Sequence, residues 1–343
     1  MSRSAVAPYC VQSWLTDPGD LASMLDDLPS GVESICEVAR AQTIHHNLRP
    51  HFGIPRDRWP VMANAWPPGA PIPGMRDLLT ALRARPPHTL STGRAPIDRL
   101  VGACMLESIF LTGLLRHRGI SSRVRAGYFA DTMGNADHVV AFWEDVCRAR
   151  GIAGDLLASD PEEWVRVMHG ITRREQIDVD KHIEHWVCEY WDIEAQRWRL
   201  LDANDTFLRA SSGLDIGFHL PKAHYEFAHE AWLRLRSSDG VDPGQHAEEP
   251  QDGPSHIRSQ LLLDYGCLLR HEAAGFDDQS GPVMAFIKRR TFDDLTKGEL
   301  ADLDRLAEFL ATDPPLQDLA AFRFEATALP EGLFEEGRGG STG

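Results

Sequence analysis

The chain has 343 residues, with 35 Lys and Arg against 51 Asp and Glu for a formal charge of −16, and 43% of its residues are hydrophobic. That length accommodates one large domain or two smaller ones around a core that needs no staples, and the composition excludes collagen-like and low-complexity classes. The acidic balance excludes a nucleic-acid binder acting through whole-chain charge, because phosphate neutralisation supplies most of that affinity.

Residues 1–20 hold no apolar run of signal-peptide length, and no stretch approaches the roughly 20 apolar residues that cross a bilayer. The expectation is a cytoplasmic protein without a membrane partner. Cysteines at positions 10, 36, 104, 147, 188 and 267 are scattered and form no CxxC, which predicts free thiols rather than a disulfide framework.

In chain order, residues 17–47 carry helical spacing in Leu21, Leu25 and Leu28, then Ile35, Val38 and Ala39. His45 and His46 then fall at a helix end, as cap and surface residues. A Pro-rich loop runs over 55–73, and residues 74–85 read as a helix stopped by Pro86-Pro87. Residues 98–118 form the most apolar helical segment, with Leu106, Ile109, Phe110, Leu114 and Leu115 on one face and Gly119 at the C-terminal cap position. Ser122 to Phe129 reads as a strand. Helices are expected over 137–150 and from Asp160-Pro161. His185 to Trp191 and Arg197 to Leu201 read as strands around a polar turn, Asp192 to Gln196. Residues 237–254 are expected as an exposed loop, 256–273 and 298–311 as helices, and 336–343 as a disordered tail.

Three segments carry chemistry. Cys104 falls near the start of the apolar helix, and a helix N-terminus favours a thiolate nucleophile. The competing reading is a small buried core residue. In a hairpin with loop 193–196, Asp192 faces Arg197, and the same register sets Val187 opposite Asp202. Alternation then points His185, Val187 and Asp202 one way, with Asp202 the diagonal neighbour of His185. A carboxylate in that position orients an imidazole, which can take a proton from a thiol. A purely structural His–Asp contact is the alternative.

The order Cys104, then Leu-Leu-Arg-His-Arg-Gly-Ile-Ser-Ser-Arg-Val-Arg-Ala-Gly-Tyr-Phe (114–129), then His185 and Asp202 resembles the transglutaminase-like superfamily. The most specific local signature is Leu-Leu-Arg-x-x-Gly-Ile-x-x-Arg. The second is the hairpin His-Trp-x-x-Glu-Tyr-Trp-Asp…Arg-Trp-x-Leu-Leu-Asp. The resemblance covers residues 96–205, about a third of the chain, and its flanks are similar to stand-alone bacterial members. It implies an α+β fold with a papain-like core, in which a helix bearing the cysteine packs on an antiparallel sheet bearing the histidine and aspartate. It also implies a triad of Cys104 as nucleophile, His185 as base and Asp202 as orienter. The chain departs from many relatives in Met105-Leu106 after the cysteine. It also carries a long insert, 130–184, expected in a substrate pocket or lid.

The resulting organisation is a helical N-terminal region (1–95), a catalytic core (96–215), a mostly helical C-terminal region (216–335) and the tail (336–343). Trp186, Arg123 and Tyr128 are the candidates for substrate contact. For Arg123 and Arg125, pairing with the chain's own acids is the competing reading. His138 is a rival base, but no Trp…Asp strand of matching spacing comes after it. His182, His185 and Cys188 chelate poorly as a set, because i and i+3 on a strand point to opposite faces, so no metal is expected. No phosphate loop, serine elbow or dinucleotide fingerprint occurs, so no cofactor is expected.

The function expected is cysteine-dependent acyl transfer through a thioester. The donor is a small-molecule or carrier-bound acyl group, and the acceptor is an amine. The alternatives are an amidase or peptidase using water, and a non-catalytic binding or scaffold protein that keeps the fold.

Overall fold

The computed structural model describes residues 3–45, 73–129, 182–203, 217–237, 253–272 and 291–327, with single residues 52, 54, 58 and 246. The expected helices at 137–150 and 160 onward, His138, most of insert 130–184, the Pro-rich loop apart from residues 58 and 73, and the tail lie outside them. The chain is α+β, with helices around an antiparallel sheet. No helix among the described residues is long and apolar enough to cross a membrane.

The N-terminal part departs from a continuous helix. A 3-10 turn at Gly19–Leu25 and helix α1 (Val32–Gln42) bury Leu21, Leu25, Ile35 and Ala39. The next three residues form strand β1 (Thr43–His45), so His45 is a buried strand residue rather than an exposed cap. Helix α2 (Met75–Arg83) comes next, and the Asp77 carboxylate accepts the Gly74 amide to close its first turn. Strand β2 (Leu100–Gly102) pairs in parallel with β1, setting His45 against Gly102. The apolar segment expected to be helical from 98 therefore starts its helix only after this pairing, at Cys104.

Helix α3 (Cys104–His117) is buried from Leu106 to Arg116 on every side, not along one face. Its residues contribute to both hydrophobic clusters of the described chain. Gly119 ends it at φ +72°, a left-handed conformation that favours glycine.

The main sheet has the order β6-β5-β4-β3-β7. Its centre is β3 (Ser122–Phe129), β4 (Ile183–Asp192) and β5 (Arg197–Leu201). Asp192 pairs with Arg197 and Cys188 with Leu201, the register that the hairpin pattern predicts. The Asp192 carboxylate accepts the amides of Glu194 and Ala195, and Gln196 takes φ +53°, so local chemistry locks the turn. The edge strands β6 (His219–Leu220) and β7 (Tyr225–Phe227) both come from the region expected to be mostly helical.

Four helices come after β7: α4 (Ala228–Arg236), α5 (Gly253–Leu268), α6 (Lys297–Leu310) and α7 (Leu316–Ala321). β7 covers β3 only over Gly127–Phe129. At the adjoining position Asp264 of α5 accepts the Ala126 amide at 3.0 Å, satisfying an edge group that β7 does not reach.

Candidate active site

Cys104 is the first residue of α3, half-buried, with extended Ala103 ahead of it. Two side-chain bonds seat this helix on β4. Ser108 Oγ donates to the Trp186 carbonyl at 2.9 Å, and Thr112 Oγ1 donates to Cys188 Sγ at 3.2 Å. Both anchors lie on the stretch of β4 just after His185, so helix start and histidine are held together.

His185 Nε2 donates to Asp202 Oδ2 at 2.5 Å, and both side chains are buried. Asp202 stands one residue beyond β5, where its amide donates to the Phe218 carbonyl at 2.9 Å, ahead of β6. With Nε2 taken by the carboxylate, Nδ1 is the ring nitrogen left for the Cys104 thiol, whose side chain interacts with the imidazole as hydrogen-bond partner and as charge. Burial pushes the imidazole pKa down. The Asp202 charge and hydrogen bond, with the help of Cys104, outweigh burial and carry it up to about 10. A charged imidazole beside a thiol at a helix start is the arrangement of an activated cysteine nucleophile.

The backbone around His185 is held on its far side. The Tyr225 hydroxyl donates to the His185 carbonyl at 3.0 Å. Gly127 is the cross-strand partner of His185, and a Cβ there would stand 2.5 Å from the Glu226 carbonyl and 2.8 Å from the Tyr225 hydroxyl. Only glycine lets β7 approach so closely.

The structure thus brings together Cys104, His185 and Asp202, while the three candidates for substrate contact take other places. Arg123 is 2% exposed and bonds Glu189 at 2.8 Å and Asp313 at 2.9 Å. Arg125 bonds the same Glu189 and forms a fork with Asp264 at 2.8 and 2.7 Å. The reason lies in the register: Glu189 is the cross-strand partner of Arg123, so the arginine's charge is met within the sheet. Trp186 alternates away from His185 into the core, and its indole N–H donates to Glu184 at 3.1 Å. Tyr128 is fully buried, with its hydroxyl 3.0 Å from His256 Nδ1.

Two features escape a reading of the sequence. His45 sits beside Gly102, two residues ahead of the nucleophile, because of the β1–β2 pairing. His182 meets not His185 or Cys188 but Glu226 and His246, from elements far along the chain.

A scan against protein-family models finds no match, and searches of curated proteins and of solved structures find no significant match.

Proposed function

We propose that the chain catalyses cysteine-dependent acyl transfer through an acyl-enzyme thioester on Cys104, in the manner of transglutaminase-like enzymes with their papain-like core. The observation that carries this reading is the contiguous chain of Cys104, His185 and Asp202, contributed by a helix start and two neighbouring strands.

The thiolate of Cys104 attacks the acyl carbon of an amide, ester or thioester. The Cys104 backbone N–H, which as the first of the helix has no intrahelical acceptor, is a donor for the developing oxyanion. The tetrahedral adduct collapses as His185 passes its proton to the leaving group. An amine then enters, loses a proton to His185 and attacks the thioester, which restores the thiolate–imidazolium pair. Asp202 keeps the imidazole oriented throughout and favours its charged form before and after the two proton transfers. Water in place of the amine gives hydrolysis by the same steps.

Intact-mass spectrometry tests this. After exposure to activated thioesters of small carboxylic acids, one acyl group is expected on Cys104. It should be cleared faster by a primary amine than by water alone. Iodoacetamide provides the second reading, with Cys10, also half-buried, as the internal control. Burial raises the thiols of Cys36, Cys188 and Cys267, Cys188 to about 12, so these are expected to stay silent. Labelling of Cys104 no faster than of Cys10, with no acyl adduct, overturns the enzyme reading in favour of a scaffold. Clearance by water alone assigns a hydrolase.

A further inference from the structure

We propose that His182, Glu226 and His246 form a site for one divalent transition-metal ion of the zinc type. His182 stands immediately before β4, Glu226 is the middle residue of β7, and His246 lies between α4 and α5. His182 Nδ1 and His246 Nε2 each stand 2.9 Å from the same Glu226 oxygen, Oε2. All three donor atoms lie within 4.8 Å of one another. A tetrahedral ion with metal–ligand bonds near 2 Å sets its donors about 3.3 Å apart, so small side-chain shifts suffice to admit one.

Among the described residues, hydrogen bonding leaves this cluster only partly met. The His182 side chain is largely buried, and its Nδ1 meets nothing but the Glu226 carboxylate among the described residues. His246, whose side chain is wholly buried, has an Nδ1 that is unpartnered among the described residues as well. Its Nε2 faces Glu226 Oε2 at 2.9 Å and the Arg234 guanidinium at 3.2 Å. One ring nitrogen can donate to the carboxylate or accept from the guanidinium, not both. The rings of His182 and His246 stack 4.5 Å apart at 25°, side by side over one carboxylate oxygen, as co-ligands stand.

The donor set selects the ion. Two imidazoles and a carboxylate suit zinc and its neighbours, whereas calcium and magnesium take oxygen ligands. Three protein ligands leave a fourth position for water. Arg234 bonds Glu226 at 2.6 Å and balances its charge without metal; its side chain is 37% exposed at the end of α4, so it has a path to solvent. The site is distinct from the cysteine centre: Glu226 pairs across the sheet with Tyr128, and His185 with Gly127, so alternation sends them to opposite sides. An ion here ties β7 and the residue at 246 to the end of the strand that carries His185.

The test uses the full chain with Cys104→Ala, so that no thiolate at the cysteine centre answers for the metal. Chelator-stripped protein is titrated with zinc against a chromophoric competitor, and with cobalt for its visible spectrum. One ion per chain is expected, with cobalt bands free of thiolate charge transfer. Glu226→Gln and His182→Ala should each weaken binding about 100-fold, since even outer-shell partners are worth 10–100-fold. His182 is the most exposed of the three, so its variant is the one expected to keep the fold if Glu226→Gln does not. Arg234→Gln keeps every ligand and removes the competing cation, so it should bind at least as tightly. Absence of stoichiometric zinc in the Cys104→Ala chain, or undiminished binding in His182→Ala, overturns the site.

Discussion

His185 is the residue on which the chemistry turns, because two opposed effects meet there. Burial alone would leave it neutral at physiological pH, but the Asp202 carboxylate reverses that and lifts it to about 10. Asp202→Asn keeps the shape and removes the charge. The imidazole then falls back toward neutrality, and acylation of Cys104 at pH 7 is expected to slow by about 10²–10⁴-fold, the usual worth of an acid–base group. Stopped-flow thioester cleavage in the two proteins measures this, and equal rates would remove Asp202 from the triad. The same contact has a stability signature. A histidine raised in the folded state contributes stability that is full below its ordinary value of 6.5 and is lost as pH rises through about 10. Urea midpoints of the wild type should therefore fall between those limits, and Asp202→Asn should flatten that part of the curve. Most of this site is legible in the sequence because it rests on local rules. Asp192 and the polar turn set the hairpin register, and alternation does the rest. Arg123 is less legible: its partner Glu189 lies 66 positions away, and strand pairing alone brings the two together.

At the scale of elements, β7 is the clearest case of structure that pattern reading misses. Three residues carry no periodicity, and Tyr225–Phe227 is a strand only because β3 offers an open edge at Gly127–Phe129. β2 is similar: Leu100–Gly102 reads as one helix with the apolar segment after it, and pairing with Thr43–His45 overrides that preference. Both short strands flank the site. β2 delivers the chain to Cys104, and β7 braces His185 through the Tyr225 hydroxyl. Gly127→Ala tests the brace. The new methyl meets the Glu226 carbonyl, which is backbone and cannot rotate away, so β7 must shift. The expected cost is about 1–3 kcal/mol of stability by urea denaturation, as for other overpacked sites. Because Gly127 opposes His185, the acylation rate should fall as well. A variant as stable and as fast as wild type would show that β7 is not held at that distance.

On the scale of the whole molecule, regions that look separate in the sequence are joined through buried charge. Arg116, near the end of α3, is wholly buried. It donates to the Ser122 carbonyl at 2.9 Å, to Thr16 Oγ1 at 3.0 Å and to Glu272 Oε1 at 3.0 Å. One guanidinium thus links the N-terminal segment, the central helix, the first sheet strand and the C-terminal part. Nothing in the local pattern around Arg116 foretells this, since it reads as a basic residue complementing a helix C-terminus. Burial at 0% for both partners makes the pair costly to break, because removing one leaves the other's charge unpaired and dehydrated. Glu272→Ala is expected to lose about 3–5 kcal/mol of unfolding free energy. The double variant Arg116→Met with Glu272→Leu removes both charges and refills the space, so it should recover most of that loss. Urea denaturation of Arg116→Met, of Glu272→Leu and of the double variant closes the cycle. If the double variant is no better than the sum of the singles, Arg116 acts through its bonds to Ser122 and Thr16, and Glu272 is not its essential counter-charge.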